Sequence, residues 1–167
     1  MASLLKISEA ASIGLHSACL LCHEPERVWS AREIATRLDV SNSHLSKVMN
    51  RMQKAGLVRS VIGPGGGFTL AKLPAEITLY DVLQGIDGPT GESACLFSPA
   101  RCMGEGCVLG SISAEVNELV RLRMGSLTLA DVASDTTQMK MLAIELLDTA
   151  EPRSGTGAKR KRKRGGR

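Results

Sequence analysis

"VSNSHLSKVMNRMQKAGLVRSVIGPGGGFTLAK", residues 40–72, changes its hydrophobic period halfway along. In its first half Leu45, Val48, Met49 and Met52 recur at three- and four-residue steps, the spacing of one buried helical face, before Gly56 stops the run. Ser41 stands just ahead of it, where a hydroxyl can take up the free amides of a first helical turn. From Leu57 onward apolar and polar residues alternate on both sides of Gly63, Pro64 and the three glycines that follow. That pattern predicts two short strands joined by a loop, a hairpin set directly behind a helix.

Upstream, Ser30 and Glu33 in "SAREIATRL" have the spacing of a capping box, and Ile34 and Leu38 supply a buried stripe for a helix ending near Val40. Two short helices joined by so tight a turn make a helix-turn-helix, and the hairpin after them is a wing. Earlier still, "LKISEAASIGLHSACLLCH", residues 5–23, spaces Ile7, Ala11, Leu15, Ala18 and Leu21 as another helix. Downstream, Thr78 with Asp81 opens a helix through about Ile86, and a cysteine-bearing loop runs from about Gly88 to Cys107. "LGSISAEVNELVRLRM" then predicts a long helix with Ile112, Val116, Val120 and Met124 on its apolar face. Such a helix on a small domain buries too little alone and calls for a partner helix. Thr128 with Asp131 starts one more helix, and "QMKMLAIELLDTA" the last. The expected fold is mainly α with a small β-wing, a winged helix-turn-helix carrying a long C-terminal dimerisation helix. Its parts are a DNA-binding domain over 1–90, a cysteine loop over 91–108, dimerisation helices over 109–150 and a disordered basic tail over 151–167.

Charge divides along the same lines. Residues 27–72 hold eight basic and two acidic side chains, net +6, whereas 73–151 hold four and twelve, net −8. The last sixteen residues add eight Lys or Arg and no acid. The helix-turn-helix and wing are thus suited to a polyanion, and double-stranded DNA is the expected partner. Aromatic residues make up only 2% of the chain, so the core must be aliphatic, which suits helices better than a sandwich or barrel. No long apolar run suggests a membrane span, and nothing at the N-terminus reads as a signal sequence, so the expectation is a cytoplasmic protein with no membrane partner. Its five cysteines should then be thiols, available for metal binding or redox chemistry. No serine–histidine–acid pattern occurs, no phosphate loop with its lysine, and "GPGGG" lacks the strand-to-helix context of a nucleotide fingerprint, so no enzyme is expected.

The segment 40–72, followed by "ITLYDVLQGIDG", three clustered cysteines and a long helix with "LTLADV", closely resembles the bacterial winged-helix regulators of the IscR, NsrR and RirA type, the Rrf-two family. The resemblance spans about residues 5–135. It implies a homodimeric transcription regulator, generally a repressor, in which three cysteines at these positions hold an iron-sulfur cluster that senses nitric oxide, redox state or iron status.

In a winged helix the helix starting at Ser41 enters the major groove, which would offer Asn42, Ser43, His44, Ser46 and Lys47 to bases and phosphates, with Arg51 and Lys54 toward the backbone. Gly65 and Gly66 let the wing backbone approach DNA closely. The family pattern puts an arginine directly before "GPGGG"; here the residue is Ile62, and Arg59, three residues earlier, is the DNA-binding candidate in its place.

Cys95, Cys102 and Cys107 are separated by six and four residues in a glycine-bearing loop. Glycine-rich thiolate loops suit iron-sulfur clusters, whereas zinc prefers closer pairs. The expected cofactor is an iron-sulfur cluster, 2Fe-2S ahead of 4Fe-4S, and a thiol-oxidation switch or small-molecule control without a cluster is the alternative. Three thiols leave one ligand to find. The histidine used by one branch of the family falls at Gly110, whereas the carboxylate used by the nitric-oxide-sensing branch, donated by the partner subunit, aligns with Glu9. His16, about two turns further along the same helix, is the alternative. Cys19 and Cys22 form a C-x-x-C, but their spacing from Leu15 puts them on the buried face as core residues.

Overall fold

The structure, a computed structural model, describes residues 7–89 and 107–134. Its elements are α1 (Glu9–His23), α2 (Ala31–Arg37), α3 (Asn42–Lys54), β1 (Val58–Val61), β2 (Gly67–Leu70), α4 (Leu79–Asp87), α5 (Val108–Gly125) and α6 (Leu129–Ser134), with one 3-10 turn at Pro74–Glu76. The expected last helix, the basic tail and the loop with Cys95 and Cys102 lie outside the described residues.

Helix α1 starts at Glu9 and not at Leu5. Ser8 is extended and uses its hydroxyl twice, accepting from the Ala11 amide and donating to Asp87 at 2.7 Å, so the cap ends the helix there and ties it to α4. The capping box of Ser30 and Glu33 is present at α2. That helix stops at Arg37, earlier than the spacing suggested: Asp39 is left-handed, with φ of 50°, and the Val40 amide reaches back to the Ala35 carbonyl at 3.0 Å. This six-to-one closure makes the turn of the helix-turn-helix and delivers the chain to Ser41, the cap of α3.

The core gathers around α1, which packs against α3, α4, α6 and β2. Leu21, Ile34, Leu45, Met49, Met52, Ile77 and Leu129 are buried in it with Trp29, whose indole lies under the guanidinium groups of Arg27 and Arg37, 3.8 and 4.9 Å from its ring centre. The hairpin is antiparallel and pairs Val58 with Leu70 and Val61 with Gly67. Trp29 extends it by one bridge to Phe68, through hydrogen bonds of 3.0 and 2.8 Å. At Gly67 a Cβ would lie 2.2 Å from the Trp29 carbonyl oxygen, so only glycine lets the wing close against that segment.

The sequence halves "ITLYDV" and "LTLADV", residues 77–82 and 127–132, adopt the same structure and meet each other. In both, the threonine caps a helix and accepts from the aspartate amide, while the aspartate accepts from the threonine backbone at 2.8 Å. Thr78 and Thr128 form an antiparallel bridge, with Leu79 donating to Leu127 and Leu129 to Ile77, both at 2.9 Å. This bridge returns the end of α5 to the start of α4. The expected apolar face of α5 divides: Val120 and Met124 pack on the core, whereas Leu109, Ile112, Val116 and Leu119 are exposed. A four-residue step advances about 40° around a helix, so the row from Ile112 to Met124 winds off one face onto the next.

Candidate DNA interface and cysteine centre

Helix α3 buries Leu45, Val48, Met49 and Met52 and turns the opposite arc outward. Asn42, Ser43, Ser46 and Lys47 lie on that arc, together with Asn50 and Gln53, two positions absent from the residues expected from sequence. Both are visible in the helical spacing once the buried stripe is fixed. Ser46 donates to the Asn42 carbonyl at 2.8 Å, and Gln53 donates to Ser60 of β1 at 3.3 Å, which links helix to wing. His44 and Arg51 instead lie on the flank facing α1 and α4. Arg51 donates to the Ile86 carbonyl at the end of α4, at 3.2 Å, and the His44 ring approaches Glu9 at 3.8 Å. Because Val58 is buried and Ser60 meets Gln53, the alternate residue Arg59 emerges on the opposite face of the hairpin, where it donates to Thr69 at 3.0 Å. Gly65 has φ of 81° behind Pro64, and the Gly66 amide closes on the Gly63 carbonyl at 2.9 Å, so the wing tip is a tight turn that needs glycine.

Glu9 and His16 are brought together. With Ser12, Ile13, Leu38 and Val40 they line a surface pocket of about 270 Å³ between α1 and the turn of the helix-turn-helix. Glu9 is the first residue of α1, where the helix dipole favours a carboxylate, and its side chain is 78% exposed. His16 donates through Nδ1 to the Ser12 carbonyl at 2.7 Å, which leaves Nε2 as its lone-pair nitrogen. The two therefore offer an oxygen and a nitrogen ligand to anything seated there.

Among the three clustered cysteines, Cys107 is described. It caps α5, and its sulfur accepts from the Gly110 amide at 3.4 Å. A sulfur at the head of a helix with a backbone amide directed at it has the setting that supports an iron-sulfur ligand, so the described residues fit a cluster ligand. Cys95 and Cys102 lie outside the described residues. Cys19 and Cys22 behave otherwise. Burial first, then the neighbouring Cys22, raises Cys19 to about 11, and burial likewise raises Cys22, whose thiol donates to the Leu129 carbonyl at 3.4 Å. Held as neutral thiols, they serve the core.

A polar helix face beside a glycine-turned hairpin, on a helical core, defines a winged helix. The model of the Rrf2 family, an iron-dependent transcriptional regulator, matches residues 7–135, and the chain belongs to that family. Among solved structures it is similar to CymR (YrzC), the global cysteine regulator of B. subtilis, with a TM-score of 0.67 and 28% identity over 80% of this chain and 99% of that one. It is equally similar to T. potens IscR, with a TM-score of 0.67 and 28% identity over 83% and 93%. Among curated proteins it is 37% identical over 79 residues to the HTH-type transcriptional regulator BadM of Rhodopseudomonas palustris, covering 47% of this chain and 51% of that protein. The chain spans about half the length of that relative. By their names these relatives are regulators, BadM and IscR HTH-type transcriptional regulators and CymR a global cysteine regulator. Among the described residues no helix is long and apolar enough to cross a membrane.

Proposed function

We propose that the protein is a homodimeric, cytoplasmic transcription repressor whose DNA affinity is set by an iron-sulfur cluster. Cys95, Cys102 and Cys107 of one subunit and Glu9 of the partner subunit hold it, with His16 as the alternative to Glu9. The observation that carries this reading is the position of Cys107 as the cap of α5. A ligand there sits at the root of the helix whose open apolar row, Leu109, Ile112, Val116 and Leu119, would form the dimer seam. The far end of that helix is bridged to the start of α4, which in turn receives Arg51 from α3. Cluster gain or loss, reduction or nitrosylation thus has a continuous route of packed elements to the recognition helix. When bound, the cluster supplies a centre whose ligation changes with oxidant, nitric oxide or iron supply. Glu9, a hard oxygen ligand, would bind a sulfide-ligated cluster more weakly than a thiolate does, which suits a centre that must respond. A 2Fe-2S centre is favoured over 4Fe-4S.

Likeness to CymR favours a second reading, a regulator without a cluster that uses its cysteines as an oxidation switch or binds a small molecule. Protein produced and purified without oxygen separates the two. A brown sample with sulfur-to-iron absorption bands, and faster cluster loss in Glu9→Ala with the dimer intact, is the expected result. A colourless sample whose DNA binding follows thiol oxidation supports the second reading instead.

A further inference from the structure

Ile62 is 96% exposed, the most exposed large apolar side chain among the described residues. It stands at the wing tip, directly after β1 and before the turn closed by the Gly66 amide on the Gly63 carbonyl. Val61 beside it is also open, at 39%. Between Arg59 and Lys72 the chain carries no charged side chain, and Arg59 leaves the hairpin on the face away from α3. The tip therefore has no cation with which to grip phosphate. What it presents is an isoleucine on a stiff loop, hydrogen-bonded at its base to Trp29 and, through Ser60 and Gln53, to the recognition helix.

We propose that Ile62 is a specificity-determining residue that seats in the DNA minor groove beside the recognition helix by apolar contact. The inference rests on the DNA-binding reading of α3 and adds the groove and the chemistry of the wing. With α3 in the major groove, a hairpin braced along its side crosses the adjoining backbone toward the next minor groove. The walls of that groove are sugar carbons, against which a branched alkyl group packs well, and apolar side chains are a known means of minor-groove engagement. Its floor is smooth at A·T pairs, whereas each G·C pair places an amino group there. An alkyl tip cannot hydrogen-bond that amino group, and burying it unpaired is costly. Ile62 therefore favours A·T pairs at the flank of the site, whatever bases α3 reads at its centre.

The test uses the full-length protein and a duplex selected from random sequence by the wild type, followed by three versions of its flank: A·T, G·C, and inosine·cytosine, which keeps a G·C-like major groove but lacks the minor-groove amino group. The wild type should bind the A·T and inosine flanks alike and the G·C flank roughly fivefold or more weakly. Ile62→Ala should lose about tenfold on the A·T flank and no longer distinguish the three, with unchanged thermal stability. Ile62→Arg, which adds a charge at the same spot, should steepen the salt dependence by about one unit of slope. Equal binding of wild type and Ile62→Ala on every flank, an inosine flank that behaves like G·C, or an unchanged salt slope in Ile62→Arg would each overturn the proposal. Failure of the wild type to enrich any duplex is a different result, since it removes the DNA-binding reading itself.

Discussion

Asp39 holds a left-handed conformation in the turn between α2 and α3, with φ of 50°. A Cβ makes that conformation costly and glycine removes the cost, so Asp39→Gly should stabilise the fold by about 0.5 to 1 kcal/mol in denaturant melts and leave DNA affinity unchanged. Cys19 gives a pH-dependent counterpart. Its folded value near 11 exceeds the ordinary 9.0, so the folded state keeps its proton where the unfolded chain releases it. Stability from this thiol is fully present below about pH 9 and falls as pH rises toward about 11. Melts across that range should fall more steeply for wild type than for Cys19→Ala; parallel curves would contradict the assignment. At this scale the sequence was only partly legible. The caps at Ser30, Ser41, Thr78 and Thr128 are local, because a hydroxyl and an amide three residues apart need no other partner. The flank positions of His44 and Arg51 were not legible, since they depend on Glu9 and Ile86, 35 residues away from each.

Among the elements, the wing and the paired threonine caps differ in how they could be read. The wing follows from glycine, proline and alternation within one short stretch. Its closure against Trp29 does not, because Gly67 is required by a carbonyl distant in sequence. Gly67→Ala should therefore destabilise the protein by about 1 to 3 kcal/mol, read as a lower denaturant midpoint at unchanged slope. Ser30→Ala removes a local cap and should cost about 1 kcal/mol. Both threonine caps are evident in sequence, but their mutual bridge appears only in three dimensions. Helix α5 teaches the converse lesson: its four-residue row looked like one face, and the core claims only Val120 and Met124.

For the whole molecule, the winged helix and family were accessible from sequence because they rest on local periods and a specific wing. The candidate centre is more dispersed. Glu9 and His16 share a pocket, as helical spacing implies, whereas the proposed pairing of two subunits would rest on the exposed row of α5. Ile112→Glu combined with Leu119→Glu places charge in that row and should convert the protein to monomers by sedimentation, with DNA affinity reduced at least about tenfold through loss of paired binding. A dimer that survives both changes would put the seam elsewhere.

Control of DNA affinity by the cysteine centre is the proposal on which the rest depends. It is tested by titrating a selected duplex, under anaerobic conditions, with brown protein and with the same protein after its iron has been chelated. The two affinities should differ by about tenfold or more, and that difference should shrink in Cys107→Ala, which lacks the proposed ligand at the head of α5. Identical affinities for the two forms of the wild type would contradict it.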